Sequence, residues 1–237
     1  MNDAPRTGEI SREETLASLA AEVHSCTLCP RLVAWREARA ADPPLRYRGQ
    51  AYWARPVSGF GDPDAGVAIV GLAPAAHGGN RTGRMFTGDR SGDWLYAALH
   101  RAGYANQPES VSRDDGLRLR GAYVTAAVRC APPRNRPTPA ERDNCLPYLV
   151  RELALLERCR TIVALGSFAW AASLRALGGL GVEPPRPKPR FGHGEEARLG
   201  DWTLLGCYHP SQQNTFTGRL TEEMLDGVFS RAAALAR

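Results

Sequence analysis

The chain has 237 residues, 43% of them hydrophobic, and carries six cysteines and a formal charge of +5. That size suits a single α/β domain with a substantial core, and the apolar share excludes a disordered chain. No apolar run approaches the roughly 18–20 residues of a membrane span, and the opening MNDAPRTGEISREE carries early acids where a signal peptide would be apolar, so a cytoplasmic protein is expected.

Taken in chain order, residues 1–10 read as a tail. Ser11 to His24 reads as a helix, with a capping-box pattern at Ser11 and Glu14 and with Leu16, Leu19, Ala20 and Val23 on one face. It leads into Cys26-Thr-Leu-Cys29-Pro30. Arg39–Asp62, rich in Pro, Gly and aromatics, reads as a loop. Four short apolar runs then follow: Val67–Leu72, Tyr123–Val128, Thr161–Leu165 and Trp202–Tyr208. Continuous apolar runs, as opposed to alternating ones, are what a parallel sheet covered on both faces requires. Helical patterns fill the intervals, at about Asp93–Ala102, Pro139–Glu157, Phe168–Leu177 and Glu222–Leu235. The basic, Pro-rich Glu183–Gly194 reads as a surface connection. Strands alternating with helices predict an α/β fold, a three-layer αβα sandwich around a mostly parallel four-stranded sheet.

Ligands of such sheets bind beyond the carboxyl ends of the strands. The unusual residues fall there: GLAPAAHGGNRTGRMFTGD after the first strand, RCAPPRNRP after the second and HPSQQNTFTGR after the last. The first loop has neither G-x-G-x-x-G nor the Lys-Ser/Thr of a P-loop, which argues against a nucleoside triphosphate. Its small residues Ala73 and Ala75 allow close backbone approach to a ligand. Phe86 is either a core plug or a stacking face for a flat ring. Asp89 is either a helix cap or a carboxylate aimed at water or a developing cation. His209, at the end of the last strand, is placed to donate a hydrogen bond to an anionic leaving group. Gln212, Gln213 and Asn214 suit a duplex groove, and Arg219 suits a phosphate.

Cysteines in a reducing cytosol point to metal binding or catalysis more than to disulfides. Cys26 and Cys29 form a C-x2-C pair, and Cys130 and Cys145 would complete a four-thiolate site. Prolines beside three of these cysteines and the wide second spacing favour an iron–sulfur cluster, with zinc the competing reading. Cys159 and Cys207 sit in or beside apolar runs and read as buried small hydrophobes.

Together these segments resemble the uracil-DNA glycosylase superfamily, specifically its iron–sulfur family 5 (the UDGb type). The resemblance rests on GLAPAAHGGNRTGRMFTGDRSG (71–92), VRCAPPRNRPTPAERDNC (128–145) and HPSQQNTFTGRLT (209–221), and spans Cys26 to about Thr221. It implies a 4Fe-4S cluster on Cys26, Cys29, Cys130 and Cys145, and a double-stranded DNA partner containing deaminated bases. It also implies a substrate site including Ala73, Ala75, Asn80, Phe86, Asn135 and Ser211, with His209 and Asp89 catalytic and Gln212, Gln213, Asn214 and Arg219 on DNA. Leu72 and Ala126 stand where the sister family carries Glu and Asn, so a less selective pocket acting also on hypoxanthine or xanthine is expected. With no lysine in the motifs to form a Schiff base, the expected enzyme is a monofunctional monomer that leaves an abasic site. The alternatives are a zinc-stabilised nucleic-acid-binding module without catalysis and a strictly uracil-specific enzyme of the sister family.

Overall fold

The structure, a computed structural model, describes residues 15–236. The predicted tail and the Ser11–Glu14 pattern lie outside the described residues. Helix α1 (Leu16–Ser25) is capped instead by Thr15, whose hydroxyl accepts from the Ser18 amide while Ser18 answers with its own hydroxyl. Leu19 and Val23 are its buried stripe, as the pattern predicts.

The four predicted strands are present as β2 (Val67–Gly71), β3 (Ala122–Ala126), β4 (Thr161–Leu165) and β6 (Trp202–Cys207), paired in parallel in the order β3-β2-β4-β6. The sheet is nonetheless mixed and six-stranded, where the apolar runs predict four strands. Short β1 (Phe60–Gly61) and β5 (Glu196–Leu199) add antiparallel edges to β3 and β6. Neither edge is a continuous apolar run: β1 has two residues, and β5 alternates exposed and buried. An edge strand covered on one face reads that way.

Alternate residues of each strand supply two cores. Val67, Ile69, Val124, Val163 and Leu205 pack with α4 (Arg90–Arg101) and α8 (Glu222–Leu235), while Ala68, Val70, Ile162, Ala164 and Leu204 pack with α5 (Pro139–Leu155) and α6 (Ser167–Gly179). Helices therefore cover both faces. Three further helices lie in segments without a strong apolar period: α2 (Pro30–Ala41), α3 (Gly79–Thr82) and α7 (Gln212–Phe216). α2 begins with Pro30 at its first position, where the missing N–H costs nothing. It is tied to α5 by Arg31, which donates to both Glu141 oxygens at 2.6 and 2.7 Å.

Candidate active site

The loops beyond β2, β3 and β6 enclose a cavity of about 510 Å³ at the carboxyl end of the sheet. Its lining contains Ala73, Ala75, Phe86, Asp89, Asn135, His209, Ser211, Gln212 and Gln213, so nine of the predicted site residues converge on one space. Leu72, Arg90 and Ser91 complete it. Arg90 and Ser91 were legible only as the residues following a candidate helix cap, because nothing in their chemistry marks them out.

His209 leaves β6 beside Gly166, whose backbone is left-handed (φ +94°), and its carbonyl accepts the Asn214 side-chain amide at 2.8 Å and the Ser211 amide at 2.7 Å. Desolvation by its surroundings holds the imidazole down to about 4, so it is neutral at neutral pH. Its ring stands 5.8 Å from that of Phe86, tilted by 35°.

Phe86 is held at φ 52°, a conformation that costs a non-glycine residue energy and occurs where the surroundings over-determine it. Two glycines do so. A Cβ on Gly71 would lie 2.6 Å from the Phe86 ring, and one on Gly92 would lie 1.8 Å from the Phe86 carbonyl oxygen. Asp89 is the helix cap that its position suggested, with Oδ1 accepting the Gly92 amide at 3.0 Å at the start of α4, and its side chain also belongs to the cavity lining. Burial pushes its carboxyl up, against the pull of the Gly92 and Ser91 amides. Oδ2 rests against Gly78, where a Cβ would lie 1.9 Å away. Asn135 is exposed at the rim, the second of two consecutive left-handed residues after Arg134.

Three predicted site residues are placed otherwise. Asn80 lies behind the cavity, 1% exposed, its amide donating to the carbonyls of Arg36 and Ala76, so it joins α2 to the loop after β2. Asn214 positions His209 through the bond above. Arg219 stacks on the Tyr208 ring at 4.7 Å, outside the cavity lining.

Cys29, Cys130 and Cys145 are buried in one cluster with Leu32 and Val128, while Cys26 is half-buried against the neighbouring cluster of Leu19, Val23 and Tyr148, within electrostatic reach of Cys29 and Cys130. Cys159 and Cys207 lie apart in the two main cores. As free thiols, Cys130 and Cys145 are pushed up to about 11 and about 12 by desolvation. The donors around them nonetheless suit thiolates. Arg36, only 4% exposed, points Nη1 at the Cys130 sulfur at 3.0 Å, has no carboxylate partner among the described residues and leaves Nε unbonded. The Asn144 amide donates to the Cys29 sulfur at 3.4 Å. A buried, unpaired guanidinium is costly, and anionic sulfurs would compensate it, so the residues present fit a thiolate-bound metal centre. Among the described residues no three His, Cys, Asp or Glu side chains are grouped as one metal ion would need.

The family model described as the uracil DNA glycosylase superfamily matches residues 58–232. A type-5 uracil-DNA glycosylase of Mycobacterium bovis is 57% identical over 224 residues, covering 94% of this chain and 82% of its own length. One from Thermus thermophilus is 53% identical over 213 residues, covering 90% of this chain and 94% of its own. A type-4 uracil-DNA glycosylase from Pyrobaculum aerophilum is 37% identical over 123 residues, covering 52% of this chain and 55% of its own.

Proposed function

The chain belongs to the uracil-DNA glycosylase superfamily, and from that membership we propose that it is a type-5 DNA-repair enzyme that hydrolyses the N-glycosidic bond of uracil in DNA and leaves an abasic site. The observation that carries the reading is the juxtaposition, in one cavity at the strand ends, of a neutral histidine, a desolvated carboxylate and an aromatic face.

A base buried in a duplex cannot reach such a cavity, so the nucleotide is turned out of the stack, at a cost of a few kcal/mol that is least for a mismatched base. Phe86 offers its ring to the base. As the bond between the base nitrogen and the sugar carbon breaks, its electron pair goes to the base and positive charge grows on the sugar. The neutral His209 donates a hydrogen bond to the uracil carbonyl that carries the negative charge, and a preorganised donor of this kind contributes ~3–4 kcal/mol. Asp89 holds a carboxylate short of water, which the sugar cation stabilises and is stabilised by. The same carboxylate orients the water whose oxygen adds to the sugar carbon, while the released base takes up the proton.

Leu72 brings no second carboxylate to the cavity, and Ala126, fully buried at the end of β3, brings no amide to read the base edge. A pocket of this size without those groups suits hypoxanthine and xanthine as well as uracil. No lysine lines it, so strand cleavage through a Schiff base has no nucleophile.

Cys26, Cys29, Cys130 and Cys145 would hold a 4Fe-4S cluster. The proline-flanked, widely spaced cysteines and the Arg36 and Asn144 donors beside their sulfurs support a thiolate-bound cluster over a single zinc ion. Such a centre supplies a cross-link, fastening the α1–α2 junction to the loop after β3 and to α5. The monomer suffices for all these groups, since every one comes from a single chain.

The test is release of base from a labelled duplex with one uracil opposite guanine, by wild type and by His209→Ala, with and without alkali. Alkali-dependent cleavage that falls roughly 100- to 1,000-fold in the variant is expected. Binding without release from uracil, hypoxanthine or xanthine duplexes would falsify the reading.

A further inference from the structure

A second group of side chains gathers around His77 in the loop after β2, none of them lining the cavity. His77 bonds through Nδ1 to the Tyr52 hydroxyl at 2.8 Å, and its ring stacks on Tyr47 with centroids 5.9 Å apart and planes 27° from parallel. Two guanidinium groups share the Tyr47 ring: Arg46 at 4.6 Å and Arg81 at 4.4 Å from its centre. Arg39 lies over Trp35 at 4.7 Å and acts electrostatically on His77 together with Arg46 and Arg81.

None of these three arginines is ion-paired with a carboxylate among the described residues. Arg81 is spent on structure: it donates to the carbonyls of His77 and Gly88 and to the Gln50 amide oxygen. Arg39 and Arg46 make no hydrogen bond among the described residues, and the Nε of Arg39 and the indole N–H of Trp35 are buried and unbonded. Three cations gathered around a neutral imidazole repel one another, and unbonded buried donors cost more. An anion with several acceptor oxygens seated among them offsets the repulsion between the guanidinium groups, and aromatic faces keep those groups aimed in the meantime.

We propose that Arg39, Arg46, Tyr52 and His77 form a seat for one backbone phosphate of the DNA whose base occupies the cavity. The seat rests on the glycosylase reading and adds to it a DNA contact outside the cavity lining. Its connection to the chemistry is short. His77 directly precedes the Gly78 on which Asp89 rests, and Arg81 bonds to the carbonyl of Gly88, the residue before Asp89. A phosphate drawn in here therefore loads the same loop that aims the carboxylate.

The test is fluorescence anisotropy of the full-length protein on a duplex with a tetrahydrofuran abasic site, which cannot turn over, across a range of KCl concentrations. Wild type, Arg39→Ala/Arg46→Ala and Arg46→Lys are compared, with one neutral methylphosphonate linkage moved along the strand. The expected result is weaker binding by the double variant, with the slope of log affinity against log salt shallower by about 0.9 for each phosphate no longer neutralised, and the slope retained by Arg46→Lys. One methylphosphonate position should weaken wild type and leave the double variant unaffected. A double variant with wild-type affinity and slope overturns the seat while leaving the glycosylase reading intact. Wild type that binds neither this duplex nor a uracil duplex, and releases no base, overturns both.

Discussion

His209 makes one definite contribution to how the protein responds to acid. Its imidazole is held down to about 4 by desolvation alone, below the ordinary 6.5. The unfolded chain takes up that proton near pH 6.5 and the folded chain only near 4. Stability from this group is therefore complete above 6.5 and is lost as pH falls through the window between the two values, at up to ~1.4 kcal/mol per pH unit. Urea denaturation of wild type and His209→Asn at pH 7 and pH 5 checks this, and the variant should show the flatter dependence. Substitution can separate the cap that Asp89 makes from the catalytic role proposed for it. Asparagine caps a helix about as well as aspartate, so Asp89→Asn should keep the thermal midpoint and lose base release. Asp89→Ala should lose both, with about 1 kcal/mol of stability gone with the cap. An asparagine variant that turns over like wild type would reduce Asp89 to a cap. His209 was legible in the sequence because it ends an apolar run where such sheets bind ligands. Asn80 holds the loop to α2, and the sequence does not distinguish this from a ligand contact, because an amide in a polar loop looks the same in both.

At the scale of elements, the turn between β2 and α4 depends on glycines that differ in what they make room for. A Cβ at Gly78 would meet the carboxylate tip of Asp89, which can swing aside, whereas one at Gly92 would meet the backbone carbonyl of Phe86, which cannot. Gly78→Ala is therefore expected to abolish most base release and to cost about the 1 kcal/mol of the displaced Asp89 cap, and Gly92→Ala to lower the midpoint further, by an amount corresponding to ~2 kcal/mol or more. Equal losses of stability in the two would contradict that difference. The long elements were legible because burial on both faces leaves an apolar run and burial on one leaves a stripe. The helix at α8 is found at its predicted bounds, Glu222–Leu235. The elements missed carry neither signal. α2 is held by Arg31 to Glu141 and by its neighbours, β1 is two residues long, and β5 exposes every second residue. Their existence depends on partners far away in sequence, which no local pattern encodes.

For the whole molecule, the four cysteines connect parts that the sheet does not. α1 and α2 reach α5 by way of Leu19, Val23 and Tyr148, of Arg31 and Glu141, and of the cysteine cluster, and reach the loops after β2 and β3 through Asn80 and Cys130. Arg36 gives that connection a distinctive electrostatic signature. With thiolates around a cluster, its buried charge is answered, and removing it leaves sulfur charge unopposed. With thiols alone, the same guanidinium is buried without an anion, and a methionine of similar length relieves the cost. Arg36→Met should therefore act in opposite directions on the two forms of the protein: a lower thermal midpoint for the iron-loaded protein and a higher one for the protein stripped of iron by a chelator under reducing conditions. Iron content, expected at about four atoms per chain by the thiolate count, identifies which form is being melted. A change of the same sign in both forms would show that Arg36 acts through packing, and would remove the strongest physical support that the fold itself offers for a charged centre at Cys26, Cys29, Cys130 and Cys145.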